Sequence, residues 1–134
     1  TVSEAALERA RQRMGDRAST VHWIACDITD FRPTRTYAVW HDRAAFHFLR
    51  SSEDQAAYKS AQQAATHPGS KAIIGTFSTN GPLKCSGIDI QQYSPNTMQE
   101  AFSPKWTALQ TQVVGHPTPF DTVQEFVFGV FERG

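Results

Sequence analysis

Apolar residues recur at helical spacing in the first fifteen residues and then give way to shorter runs. Ser3 is a candidate helix N-cap, and the apolar positions behind it predict a helix over residues 3–14: Leu7, Ala10 and Met14. Residues 21–26 mix β-branched and aromatic side chains, which predicts a strand that ends at Asp27. Residues 28–36 contain a proline and several turn formers, so we expect a loop there.

The middle of the chain predicts a second strand, two helices and a third strand. Ser52 with Gln55 has the pattern of a capping box, and small alanines line one face of the helix behind it. A short apolar run before this helix is typical of a buried parallel strand. The predicted strand, polar turn, short helix, longer helix and third strand occupy residues 37–40, 41–43, 44–50, 52 to about 67, and 71–77.

The last third of the chain predicts a loop, a helix and two paired strands. Residues 78–93 are rich in Gly, Pro and Ser, and loops of this length in compact domains are usually functional or mobile. Ser94-Pro95 predicts an N-cap with proline in the first turn of a helix that ends near Phe102. Two apolar runs, 106–114 and 123–131, have no helical pattern between them, so we expect an antiparallel pair. The order of elements predicts an α/β domain.

Length, charge and cysteine content narrow the class of protein. The 134 residues fit one domain, 1–134, and no apolar run approaches the length of a membrane span. The formal net charge is zero, which argues against a nucleic-acid partner. Cys26 and Cys85 have no C-x-x-C spacing and the histidines are scattered, so we expect free thiols, no metal and a cytoplasmic location.

The most informative stretch is the run W-H-D-R-A-A-F-H-F-L over residues 40–49, which follows a predicted strand. Ligands of α/β sheets bind at this edge, so its polar residues are candidate catalytic groups: His41, Asp42, Arg43 and His47. Asp42 and Arg43 can pair, bind a substrate carboxylate or polarise a nucleophile, and His47 can act as a general base. The structural alternatives are an ion pair at a helix start and a half-buried histidine.

This run resembles the motif after the fourth strand of a bacterial subgroup of class I S-adenosylmethionine-dependent methyltransferases. Four further segments resemble the same family and occur in the family's order: A-C-D-I-T at 25–29, H-P-G-S at 67–70 before 73–77, K-C-S-G at 84–87 with Tyr93, and His116 to Phe126. The resemblance covers essentially the whole chain. It implies a Rossmann-like sheet, mostly parallel, whose final hairpin inserts one antiparallel strand.

The resemblance also implies roles for individual residues in methyl transfer to a small molecule. Asp27 would accept a hydrogen bond from the adenine amino group, Ile28 would lie against the ring, and Trp40 would border the cofactor. The implied substrate-binding residues are Lys84, Cys85, Tyr93 and His116. The alternatives are a turn-capping role for Asp27 and a core position for Trp40.

The sequence departs from the family pattern at the start. No G-x-G turn occurs, and Thr1 stands at the family's acidic position. We therefore expect an incomplete sheet that lacks the first βαβ portion, in a truncated methyltransferase-like domain whose activity in isolation is doubtful. The alternatives are a non-catalytic oligomeric or binding protein that retains the fold, and a hydrolase-type activity using Asp42, Arg43 and His47.

A sheet without its central strands exposes unpaired edges. The chain is expected to compensate by direct pairing of the remaining strands, by exchange of elements with a second copy, or by dimerisation, so a homodimer is predicted.

Overall fold

The computed structural model describes residues 3–134 and contains three helices and six strands within them. The helices are α1 (Glu4–Met14), α2 (Ser52–Ala64) and α3 (Pro95–Phe102). The strands are β1 (Tyr37–Arg43), β2 (Thr66–Phe77), β3 (Lys84–Cys85), β4 (Ile88–Asp89), β5 (Trp106–Pro117) and β6 (Val123–Arg133). Thr1, which stands where the resembled family has an acidic residue, lies outside the described residues.

Four strands form one sheet in the order β1-β2-β6-β5. β1 pairs with β2 in parallel, whereas β6 is antiparallel to both of its neighbours. It follows that β1, β2 and β5 point the same way and that β6 is inserted between β2 and β5 in the opposite direction. This confirms the predicted mixed sheet with a C-terminal antiparallel pair. The short strands β3 and β4 form a separate hairpin inside the predicted loop.

The two faces of the sheet are covered unequally. On one face, α2 and α3 bury a continuous core: Tyr58, Met98, Phe102, Ala72, Ile74, Val127 and Phe131. On the other face, Ile90 packs with Phe77 and Phe126 near the carboxyl ends of β1 and β2. Farther along this second face, Phe128 is only half-buried. The first face therefore carries most of the apolar burial that stabilises the fold.

The strand predicted at residues 21–26 is wrong, because these residues form no strand. A strand is stable only where its backbone N–H and C=O groups pair with a neighbouring strand, and no strand within residues 3–134 pairs with this segment. Val21 and Ile24 are accordingly 37% and 42% exposed. Direct pairing of this segment with β1, one of the expected compensations, is therefore not observed.

Several element boundaries also differ from the prediction. β1 continues through residues 41–43, which were expected to be a turn, and the expected helix at 44–50 is a single 3₁₀ turn, Phe46–Phe48. The N-cap of α2 is Ser51, whose hydroxyl accepts from Asp54 N–H, because Ser52 is already helical. The helix ends at Ala64, and β2 begins earlier than predicted, at Thr66. The helices α1 and α3 match their predicted caps, Ser3 and Ser94.

Two glycines provide a test of the unequal faces. A Cβ at Gly129 would lie 2.5 Å from the buried Phe131 ring and 3.0 Å from Met98 Sδ. A Cβ at Gly75 would lie equally close to Phe128, whose half-exposed ring can move aside. We expect Gly129→Ala to lower the free energy of unfolding by about 1–3 kcal/mol in urea titrations. Gly75→Ala should cost less than about 1 kcal/mol. Equal losses would contradict the unequal packing.

Candidate functional site

The turn after β1 is organised around the carboxylate of Asp42, which is 6% exposed. Its Oδ1 accepts from Ala45 N–H at 2.9 Å, and its Oδ2 accepts from Phe46 N–H at 3.0 Å. The Tyr58 hydroxyl on α2 donates to the same Oδ2 at 2.5 Å and accepts from the Trp40 indole N–H at 2.9 Å. One carboxylate thus joins β1, the turn that follows it and α2; this set of hydrogen bonds among Asp42, Ala45, Phe46 and Tyr58 is here called the Asp42 junction.

These contacts give Asp42 a buried, fully engaged position. Burial raises the pKa of its carboxyl group above the usual value, and the bonds from Tyr58, Ala45 and Phe46 oppose that rise. The pKa of Tyr58 is also raised, by its own burial and by the nearby Asp42 charge. The catalytic role predicted for Asp42 remains a prediction, and the described contacts are those of a group that holds the turn.

Arg43 and His41 lie on the opposite face of β1 from Asp42, because side chains alternate along a strand. Both are exposed. The guanidinium carbon of Arg43 lies 4.6 Å from the centroid of the Phe126 ring, a cation–π contact. The ion pair suggested between Asp42 and Arg43 is therefore not formed.

His47 is fully buried in the 3₁₀ turn Phe46–Phe48. Its Nδ1 accepts from the backbone N–H of Phe77 at 3.0 Å, which assigns the proton of the neutral ring to Nε2. Burial lowers the pKa of His47 to about 4, so the ring is neutral near pH 7. The general-base role remains a prediction, but the acceptor nitrogen is already occupied.

A cleft of about 350 Å³ separates this turn from the segment that precedes β1. One wall is the turn around Asp27, and the other wall follows β1. The lining residues are Cys26, Asp27, Ile28, Ala44, Ala45, Phe48 and Leu49. Two of the three predicted cofactor residues therefore lie in the cleft. Trp40 does not line it, because its partly buried ring packs against the core and its indole N–H bonds to Tyr58.

Asp27 caps the short 3₁₀ turn Ile28–Asp30, as its structural alternative predicted. Both bonds from Thr29, from its N–H at 2.9 Å and its hydroxyl at 2.7 Å, go to the same oxygen, Oδ1. They lower the pKa of Asp27, so the carboxylate is charged at neutral pH. Oδ2 accepts no hydrogen bond within residues 3–134. Asp27 therefore combines a structural role with one oxygen that no described residue binds.

The opposite wall contains a residue that sequence reasoning missed. Ala44 has φ 64°, in the left-handed region that non-glycine residues seldom adopt. Its N–H donates to the carbonyl of Gly75 at 2.8 Å, and the next N–H is bound by Asp42. These bonds fix a strained residue at the edge of the cleft, as is common at functional sites. The sequence signal for this turn is Asp42 at the end of an apolar strand, because an aspartate buried there requires hydrogen-bond donors from the residues that follow it.

The predicted substrate-binding residues are dispersed. Cys85 is half-buried against the Phe77–Phe126 cluster, and the ring of exposed His116 lies 6.1 Å from that of Phe126. Lys84 is exposed, with its Nζ 3.8 Å from Asp89. Tyr93 is buried in the core, where desolvation raises its pKa to about 12. Cys85, His116 and Arg43 thus approach Phe126, whereas Lys84 and Tyr93 do not.

Within residues 3–134, no group of three or more His, Cys, Asp or Glu side chains is arranged to hold a metal ion. None of the helices in this range is long and apolar enough to cross a membrane.

No protein-family model and no curated protein matches the chain. Solved structures do match. One, solved for the conversion of a disulfide bond into a thioacetal group during echinomycin biosynthesis, has a TM-score of 0.73 and 19% identity. It matches 98% of this chain and 63% of its own.

Two methyltransferases crystallised with S-adenosylhomocysteine match as well. The Burkholderia thailandensis 1,6-didemethyltoxoflavin-N1-methyltransferase has a TM-score of 0.72 at 17% identity, over 99% of this chain and 59% of its own. The N-methyltransferase NodS from Bradyrhizobium japonicum WM9 has a TM-score of 0.69 at 12% identity, and the match covers 98% of this chain and 63% of the NodS chain. The chain thus has the class I S-adenosylmethionine-dependent methyltransferase fold and spans 59–63% of these three structures.

Removing one hydroxyl tests the Asp42 junction. Tyr58→Phe leaves the Asp42 carboxylate without its side-chain donor and the Trp40 N–H without its acceptor. We expect the free energy of unfolding to fall by about 1–3 kcal/mol, measured as a lower urea midpoint at unchanged slope. Tyr37→Phe is the matched control, because that hydroxyl makes no hydrogen bond among the described residues. Equal effects of the two substitutions would refute a special role for the Tyr58 hydroxyl.

Proposed function

We propose that this chain is an S-adenosylmethionine-dependent methyltransferase that acts on a small-molecule acceptor. The observation that carries the proposal is the position of Asp27 in a cleft of the methyltransferase fold, with one carboxylate oxygen that accepts no hydrogen bond from residues 3–134. The superposition on enzymes crystallised with S-adenosylhomocysteine supports it.

The residues of the cleft fit the adenine end of that cofactor. Asp27 Oδ2 would accept from the exocyclic amino group, and Ile28 would lie against one side of the ring. Phe48 and Leu49 supply apolar surface from the other wall. S-adenosylmethionine supplies a methyl group already activated on a sulfonium, so the protein contributes mainly alignment and removal of a proton. The Asp42 junction serves alignment because it fixes the second wall.

The acceptor would approach the exposed groups at the end of β1. Of the four predicted catalytic residues, only His41 and Arg43 are exposed. Arg43 forms no ion pair with a described carboxylate, so it is free to meet an acidic group on the acceptor. His41 is accessible to take the proton that the acceptor loses. His116 and Cys85 would border this region near Phe126. The substrate-binding roles of Lys84 and Tyr93 stay predictions, because Lys84 faces Asp89 and Tyr93 is buried in the core.

A hydrolase-type activity fits less well. It would require Asp42, Arg43 and His47 to act together. Asp42 and His47 are buried and bound to other groups, and Arg43 lies on the opposite face of the strand.

Calorimetric titration with S-adenosylhomocysteine tests the proposal. The unmodified chain should bind, and Asp27→Ala should weaken binding by about 10- to 100-fold, the cost of losing a hydrogen bond to a charged group. Asp30→Ala is the matched control, because it removes the same charge from the same turn outside the cleft. Thr29→Ala removes the hydroxyl bond to Asp27 Oδ1 but keeps the backbone N–H bond and the carboxylate, so it should weaken binding less than Asp27→Ala does.

Two results would contradict the proposal. One is absence of binding at millimolar ligand, which would favour a non-catalytic protein that retains the fold. The other is equal affinity of the Asp27→Ala and Asp30→Ala variants.

We also infer that the chain forms a homodimer through the outer edge of β1. Within residues 3–134 that edge pairs with no strand, and Val39 on β1 is 54% exposed. An unpaired edge of this kind favours pairing with another chain. The helix α1 buries no residue in its own chain, so it is the element free to exchange between copies.

Light scattering with size-exclusion chromatography tests this interface. The chain should elute with twice the mass of one copy, and Val39→Lys should shift it toward the single mass, because a charge at an edge opposes pairing. Leu109→Lys is equally exposed on β5, the other unpaired edge of the sheet within residues 3–134, and it should leave the double mass unchanged; loss of the double mass in this variant and not in Val39→Lys would contradict the choice of β1. A monomer at every concentration would contradict the inference.

A further inference from the structure

His47 connects the wall of the cleft to both ends of the segment 78–92, here called the covering loop. Phe77, immediately before the loop, donates its N–H to His47 Nδ1 at 3.0 Å. Gln91, near the end of the loop, donates its N–H to the carbonyl of His47 at 2.7 Å. A single residue thus holds both ends of the loop through its side chain and its backbone.

The two ends of the loop are also joined to each other. Tyr93 N–H donates to the carbonyl of Phe77 at 3.1 Å, and Ser78 and Tyr93 form an isolated parallel β-bridge. The base of the loop is therefore a closed unit. His47 is the residue that links this unit to the 3₁₀ turn Phe46–Phe48.

Phe48 provides a second contact between the same two regions. It lines the cleft, and it also packs against the cluster of Phe77, Ile90 and Phe126. Because Ile90 belongs to the covering loop, a ligand that displaced the Phe48 ring would also change the packing of the loop.

We propose that His47 is a positioning residue that couples the cleft to the covering loop, so that ligand in the cleft orders the loop. The inference rests on the proposed function for the identity of the ligand. It assigns His47 a mechanical role in place of proton transfer. A neutral imidazole suits this role, since only an unprotonated Nδ1 can accept from Phe77, and its pKa of about 4 maintains that state at neutral pH.

Two substitutions separate the hydrogen bond from the bulk of the ring. His47→Asn keeps an acceptor near the position of Nδ1, whereas His47→Leu fills similar space with none. Gly129→Ala serves as a control that lowers stability without touching His47.

The first experiment is native-state hydrogen exchange without ligand. The turn amides of Phe48 and Leu49 and the loop amides of Gln91 and Tyr93 keep their backbone acceptors in every variant, and they should open with one common free energy and one denaturant dependence in the unmodified chain, His47→Asn and Gly129→Ala. In His47→Leu the turn amides and the loop amides should differ by at least about tenfold in opening constant. Common opening in His47→Leu, or separate opening in the unmodified chain, would overturn the coupling.

The second experiment adds S-adenosylhomocysteine. It should slow exchange across residues 84–92 at least about fivefold in the unmodified chain and in His47→Asn, but not in His47→Leu at saturating ligand. Equal protection in His47→Leu would overturn the inference. Absence of binding to the unmodified chain would refute the proposed function, and the ligand-free exchange would still decide the coupling.

Discussion

The buried carboxylate of Asp42 is the interaction on which the rest of the site depends. A carboxylate removed from water costs several kcal/mol unless donors replace its hydration. Here Ala45 and Phe46 supply two backbone donors and Tyr58 supplies a hydroxyl from α2. The turn after β1 must therefore close over Asp42, and closure places Phe46 in the core and the next residues beside the cleft. A requirement of folding thus determines the shape of the candidate site.

The same alternation along β1 separates structural from exposed groups. Asp42 faces the helices, where the core is filled. Arg43 and His41 face away from them, and Arg43 packs over Phe126 on the less covered face. This division explains why a run of adjacent polar residues contributes to two different surfaces. It also explains why adjacency in sequence was a poor guide to which of these residues act together.

Local chemistry made part of the fold predictable. The caps at Ser3 and Ser94 and the final strand pair depend on neighbouring residues, and the structure matches them. Residues 21–26 were mispredicted, since a strand depends on a distant partner that local pattern does not reveal. Tyr58 was missed for a related reason, because its partner Asp42 lies sixteen positions earlier in the sequence. Asp27 was placed in the cleft by resemblance, whereas its capping of Ile28–Asp30 followed from local turn chemistry.

The most direct test of the cofactor site proposed in the cleft is a nitrogen-15 NMR titration with S-adenosylhomocysteine. If the cleft between the Asp27 turn and the Asp42-held turn is the cofactor site, the large shifts will fall on residues 26–28 and 44–49. Residues of α1 and the distal half of β5 will remain unchanged. Absence of shifts, or shifts concentrated away from these two turns, would contradict the assignment of the site.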